Sequence, residues 1–270
     1  MDVKFSKNYV ENSTLAINVK EFLNLVMIRI NFFLQKVMDV YPNKVHLVVN
    51  ELDSTISYNE NSIMMELSDD SLIKKYPNLI SLFSHSILEH FGLLKLTTIP
   101  DDEIEITVET YLKTALYYQY TLAKSLLSIM NHSSAVKFFQ GIIDDEIKKE
   151  RDPKKYLNKL ADMNPESEKF QERCRSHDVI EFTINEGRQG VKVLKCKWYE
   201  VMKELDDPIM SYAVACHYDF EATKSMSPNF ILTRPKTLMM GDDYCDFCYH
   251  DTQIVNHVKH PSEEFWKDLK

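Results

Sequence analysis

Between Val19 and Val40, apolar residues return at three- and four-residue steps. Phe22, Leu25, Ile28 or Arg29, Phe32 with Phe33, and Val37 fall on one face of a long amphipathic helix. Pro42 and Asn43 end it. The stretch 58–62 is polar and reads as a loop. A second stripe, Leu79, Leu82, Phe83, Ile87 and Leu88, predicts a helix over 77–91 with Gly92 as its C-cap. Past Gly92 the period changes. Residues 93–98 are β-prone, 99–102 form a turn, and 103–108 alternate acids with Ile and Val, so a short hairpin is expected. Helices follow over 108–130 and 135–147. The dense mixture of acids and bases over 144–155 reads as a solvated helical face, and the polar stretch 162–176 as a connection.

From 178 onward the period is two. Ile180, Phe182 and Ile184 share one face of a strand, with Glu181 and Thr183 on the other. The turn 185–190 leads into a return strand over 191–196, giving an antiparallel hairpin. A short helix is expected over 198–205. Asp207 then caps a helix that has Pro208 at its first position and runs to 222. A strand over 229–240, a tight turn at 241–243 and a partner strand over 244–250 make a second hairpin. Phe265 and Trp266 are the residues of the polar tail suited to docking it. The fold class is α+β, with a mainly helical N-terminal half and C-terminal antiparallel hairpins packed with helices. The change of pattern divides the chain into a helical domain over 1–108 and an α+β domain over 109–270.

Composition narrows the partners. The chain has 270 residues, 44% of them apolar, with 14 Phe and 14 Tyr, enough for a sizeable core. A net charge of −9 disfavours nucleic acid and anionic membranes, both of which reward a basic face. The helix 77–91 followed by a hairpin resembles the second half of a winged-helix unit. That helix carries His85 and His90 but no Lys or Arg, so packing or homodimer formation suits it better than DNA. No apolar run reaches the roughly eighteen residues of a membrane helix. The five cysteines follow no secretory leader, so a cytoplasmic protein with reduced thiols is expected.

The chemistry concentrates between Cys196 and His250. On the helix from Pro208, Tyr212, Cys216 and Asp219 fall at i, i+4 and i+7, and so share a face. An acid that late in a helix is opposed by the helix dipole, which favours a functional reason for Asp219. Cys196 closes a strand, a common place for reactive residues. Arg234, in a half-apolar strand, can present a two-pronged donor to a carboxylate. Pro235 beside it lacks an N–H, so that strand must be at an edge or bulged. Cys245 and Cys248 form a Cys-x-x-Cys pair, but residues three apart on a strand face opposite ways. Cys245, Phe247 and Tyr249 share one face, and Asp246, Cys248 and His250 the other.

At these residues the chain resembles the L-2-amino-thiazoline-4-carboxylate hydrolase family. The pattern is Cys196 with Tyr199 and Glu200, Cys216 with Asp219, Arg234 with Thr237, and Gly241 with Cys245, Asp246 and Phe247. The resemblance covers 110–260 and implies a hydrolase opening a cyclic isothiourea that carries a carboxylate. It implies Cys216 or Cys245 as nucleophile, Asp219 as general acid and base, Arg234 as carboxylate anchor, and Cys196 as a further thiol. Tyr212, Thr237 and Asp246 are the remaining substrate-binding candidates. A metal version competes, in which Cys196, Cys216 and Cys245, with Asp219 or His217, hold a zinc ion that activates water. Outside catalysis, the same pattern suits a small-molecule-binding sensor domain or an assembly protein.

Overall fold

The structure is a computed structural model that describes residues 3–7, 9–55, 71–94, 99–163 and 175–269. The loop expected over 58–62 lies outside these residues, as do 95–98 of the expected hairpin and most of the connection over 162–176. Contacts divide the chain into two compact units, one of Thr14–Ile142 and one of Met1–Ser13 with Ile143–Lys270.

The first unit holds β2 (Thr14–Ile17), α1 (Val19–Val40), α2 (Val45–Thr55), α3 (Pro77–His90), β3 (Ile104–Thr107), α4 (Val108–Ser125) and the first turns of α5 (His132–Glu150). Asn18 caps α1 by accepting the Glu21 N–H at 3.0 Å. The buried face of α1 runs through Phe22, Val26, Met27, Ile30, Phe33 and Val37. Leu25 and Ile28 stand 44% and 62% exposed, so the buried stripe is turned from the one read off the sequence. Strand β3 forms within the expected 103–108. Among the described residues its partner is β2, in antiparallel register, with Thr14 opposite Thr107. Within the first unit α5 packs back on α1: Phe33 lies 6.4 Å from Phe139, and Tyr41 5.6 Å from Phe138.

The second unit is built on one antiparallel sheet in the order β1-β4-β5-β7-β6. Its strands are β1 (Val3–Lys7), β4 (His177–Asn185), β5 (Arg188–Cys196), β6 (Phe230–Thr233) and β7 (Cys245–Asp251). The β4–β5 hairpin is the one the two-residue period predicts. The strand expected over 229–240 is cut short at Thr233. Pro235 offers no ladder donor, and 238–240 form a tight helical turn. The Thr237 hydroxyl caps that turn at the Met240 N–H, 3.2 Å away, and Gly241 closes it at φ +91°, where a side chain would be strained. Short helices α6 (Lys197–Met202), α7 (Pro208–Ala215), α8 (Tyr218–Met226) and α9 (Glu263–Asp268) complete the unit.

The two faces of the sheet have different cores. Val179, Val193 and Cys245 cluster on one, flanked by Val191, Cys196, Leu238 and Phe247. Ile180, Phe182, Tyr244, Cys248, Trp266 and Leu269 cluster on the other. Cys245 and Cys248 therefore do face opposite ways. The tail docks through Trp266, which is fully buried with its ring 5.3 Å from that of Phe182. Lys192, buried on this face, donates to the carbonyls of Trp266 at 2.6 Å and Leu269 at 2.8 Å. Carbonyls at a helix C-terminus lack helical partners and carry partial negative charge, so an ammonium group there both satisfies and neutralises them.

Phe182 lies directly across from Gly190, and a Cβ on Gly190 would stand 2.2 Å from its ring. Trp266 and Phe265 hold that ring from the other side. Gly190→Ala should therefore cost about 1–3 kcal/mol of stability. By contrast Gly141 lies inside α5 with nothing within 4 Å of its would-be Cβ. There Gly→Ala should stabilise by about 0.5–1 kcal/mol. Urea unfolding followed by circular dichroism distinguishes the two signs.

Candidate active site

The helix expected to run unbroken from Pro208 to 222 is interrupted at Cys216-His217. Asp207 starts it as expected, accepting the Met210 N–H at 3.0 Å. At its end the N–H groups of Cys216 and His217 both fall on the Tyr212 carbonyl, at 2.9 and 3.0 Å, and the helical ladder stops. The break has two consequences. It leaves the Cys216 carbonyl open to a new donor, and it puts Asp219 in the first turn of α8 rather than late in one long helix. The dipole therefore favours the Asp219 carboxylate, the reverse of the sequence expectation.

Arg234 uses both consequences. It lies just past the end of β6, where alternation turns it to the same sheet face as Phe247. One terminal nitrogen meets Asp219 Oδ2 at 2.5 Å. The other donates to the Cys216 carbonyl at 2.7 Å and reaches the Tyr212 hydroxyl at 3.4 Å. The guanidinium plane is stacked among the rings of Phe247, Phe220 and Tyr212, with centroids at 4.6, 5.2 and 5.5 Å. Its side chain is 1% exposed, whereas Asp219 keeps 36%. The arginine is thus the fixed partner and the carboxylate the open one. Burial raises the Asp219 carboxyl above its usual value, and Arg234 opposes that rise. The Nε of Arg234 is buried with no partner among the described residues.

Three thiols gather around this pair. Cys245, on β7, accepts the Leu238 N–H at 3.3 Å. Cys216 is the residue at the helix break. Cys196 ends β5. Cys216 lies close enough to feel the charge of Cys196 and Cys245, and Cys196 that of Cys245. Cys216 responds to Arg234, Asp219, Cys196 and Cys245, and Cys196 responds to Cys245 and Asp219. Burial is the largest cause in all three. It pushes Cys196 up to about 12 and Cys245 up to about 11, and it raises Cys216 well above the usual thiol range. The resting site is therefore a set of neutral thiols beside a carboxylate–guanidinium pair. Tyr249, on the same face as Cys245 and Phe247, feels both Asp219 and Arg234, and burial raises its hydroxyl.

Two histidines lie beside the cluster: His177, which the sequence pattern does not single out, and His217, named there only as a possible zinc ligand. His177 Nε2 lies 3.2 Å from Cys196 Sγ, and its Nδ1 lies 2.8 Å from Ser176 Oγ. A register shift between Asp178 and Val179 produces this pairing. Continued from Phe182 opposite Gly190 without the shift, the ladder would set His177 against Lys195. The bulge sets it against Cys196. His217, between Cys216 and Asp219, bonds Asp144 of α5 at 2.9 Å.

The remaining candidates lie elsewhere. Thr237 is occupied in capping its helical turn, and its N–H donates to Asp242 at 2.8 Å. Asp246 is on the opposite sheet face from Cys245, where it accepts from the Lys236 N–H at 2.8 Å and bonds His260 at 3.0 Å. Tyr212 does join the cluster, through Arg234. Among the described residues no group of three or more His, Cys, Asp or Glu is arranged to hold a metal ion, so the donor set does not fit the zinc site that the cysteines suggested. The four described cysteines are all free thiols. No described helix is long and apolar enough to cross a membrane.

Neither a curated protein nor a solved structure matches the chain. The sequence model of L-2-amino-thiazoline-4-carboxylic acid hydrolase matches residues 132–249. That span holds every member of the cluster, from His177 and Cys196 through Cys216, Asp219 and Arg234 to Cys245. Over residues 132–249, somewhat under half of its length, the chain is similar to the L-2-amino-thiazoline-4-carboxylic acid hydrolase family.

Proposed function

We propose that the cluster is the active site of a hydrolase opening a small cyclic amidine-type ring at a C–N or C–S bond, with 2-amino-thiazoline-4-carboxylate as the representative substrate. One observation carries the reading: an open carboxylate, Asp219, is held by a buried arginine near three thiols, two on one sheet face and one at the helix break. Hydrolysis of such a ring needs a nucleophile, a group that moves protons, and an anchor for the substrate carboxylate. Thiols supply the first. Asp219 supplies the second, oriented by Arg234 and by its place at the start of α8. The unpartnered Nε–H of Arg234 supplies a donor for the third. Arg234 thus serves Asp219 first, and a ligand only through its remaining N–H. The small-molecule-binding alternative shares this geometry and differs in showing no turnover.

Asp219 must be ionised to accept a proton. Because burial raises its carboxyl above 3.8, activity should fall as pH drops through a value higher than an ordinary aspartate shows. Asp219→Asn should remove that acidic limb of kcat/KM and lower kcat by about 10²–10⁴-fold. Steady-state rates on 2-amino-thiazoline-4-carboxylate across pH read both effects. Binding without turnover in the parent protein would favour the sensor.

Arg234→Lys keeps the charge but loses the fork that holds Asp219 and the Cys216 carbonyl together. It should lower kcat by about 100-fold through misplacement of the carboxylate. Cys248→Ala, on the far face, should leave kcat within about twofold, because that thiol is remote from the reacting atoms.

A further inference from the structure

We propose that Ser176, His177 and Cys196 form a proton relay in which Cys196 is the attacking thiol, His177 takes its proton and Ser176 orients the imidazole. The proposal rests on the hydrolase reading above and selects one thiol of the three. Among the described hydrogen bonds, only Cys196 pairs a thiol with an imidazole, at 3.2 Å from Sγ to Nε2. The other ring nitrogen is 2.8 Å from Ser176 Oγ. When Nδ1–H donates to that hydroxyl, Nε2 presents its lone pair to the sulfur, which is the tautomer a general base needs. Ser176 is itself fixed. It is 1% exposed, and its carbonyl accepts the Lys197 N–H at 3.0 Å. A nucleophile, a base within reach of it and a third group orienting the base make up the arrangement of activated-nucleophile sites.

Position rather than acidity singles out this thiol, since burial raises Cys196 to about 12 and Cys245 to about 11. The backbone N–H groups of Trp198 and Tyr199 meet the Cys196 sulfur and favour its ionised form, against the charges of Cys245 and Asp219 that face it. Burial lowers His177 to about 4, so the ring rests neutral, and it takes the Cys196 proton only in concert with bond formation at the sulfur. Cys245 is tied to the Leu238 N–H inside an apolar cluster, and Cys216 has Asp219 and Arg234 as its charged neighbours.

The covalent step balances without another reactant. The Cys196 S–H proton passes to His177 Nε2 as Sγ bonds the amidine carbon of the ring. The ring C–S bond breaks, and the departing sulfur takes the proton from His177. Water then adds to the same carbon, and the Cys196 C–S bond breaks. A urea is left on the product: the water oxygen becomes its carbonyl, one water proton goes to the former ring nitrogen, and the other goes to the Cys196 sulfur.

The test is site-resolved alkylation of the full chain with iodoacetamide, read by peptide mass spectrometry. In the parent protein Cys196 should label faster than Cys216 and Cys245. His177→Gln should slow Cys196 by about 100-fold while leaving the other two unchanged. Should His177→Gln unfold the chain, which simultaneous labelling of the buried Cys248 reveals, Ser176 decides. Ser176→Ala should slow Cys196 labelling, and Ser176→Thr, which keeps the hydroxyl, should restore it. A Cys196 no faster than its neighbours, or one indifferent to His177 and to Ser176, overturns the relay. Because labelling needs no substrate, its outcome is separate from turnover. A His177-dependent Cys196 in a chain that hydrolyses nothing overturns the hydrolase and upholds the relay. Turnover that survives Cys196→Ala does the reverse.

Discussion

A guanidinium buried to 1% exposure cannot be left uncompensated, because an unpaired charge in the interior costs several kcal/mol. Arg234 is compensated by segments far apart in the chain: the Asp219 carboxylate at the start of α8, the Cys216 carbonyl freed at the end of α7, and the ring faces of Tyr212, Phe220 and Phe247. Each contact constrains local structure. The carbonyl is available only because the helix stops at Cys216. The carboxylate is in place only because a new helix starts two residues later. The arginine points toward them only because β6 ends at Thr233 and Pro235 keeps the chain out of the ladder. The helix break, the short edge strand and the clustered thiols therefore have one electrostatic requirement in common.

Both faces of the sheet bury polar groups, and on both some lack a partner among the described residues, including Arg234 Nε on one side and Tyr244 Oη and Trp266 Nε1 on the other. On the side of Cys245 lie neutral thiols, a carboxylate partly open to solvent, and an arginine N–H with no partner among the described residues. On the side of Cys248, polar groups hold the tail. Lys192 takes two tail carbonyls, and Asp246 bonds His260, whose ring stacks on Trp266 at 5.4 Å. Strand β7 contributes to both at once, since alternation sends Cys245 one way and Asp246 the other.

The parts that were legible in the sequence depend on local period. The α1 span, the β4–β5 hairpin, the Asp207 cap and the opposed faces of Cys245 and Cys248 all follow from the spacing of neighbours within a few residues. What was not legible depends on partners distant in the chain. The N-terminal strand β1 is defined by its pairing with β4, at Val3 opposite Phe182, and shows no strong period of its own. The break at Cys216 is hidden because Tyr212, Cys216 and Asp219 keep helical spacing, and only the demand of Arg234 for a carbonyl shows where the ladder opens. The pairing of His177 with Cys196 turns on one bulged residue. A bulge shifts every residue beyond it by one place, and the residues 177–178 give no local sign of it.

The clustering of thiols also limits how they can react. In a weakly polar interior, like charges close together raise one another's proton affinity, so ionisable groups in contact do not ionise independently. Asp219 already contributes a negative charge that raises Cys196, Cys216 and Cys245 alike. A thiolate formed at any of the three raises the others further, so the site supports one ionised sulfur at a time. Selection among them then depends on which sulfur has a neutral base within hydrogen-bond reach at the moment its proton must leave. Burial alone cannot choose, since it acts on all three in the same direction. The choice is made by the hydrogen-bond partner, and the β-bulge is the element that supplies it.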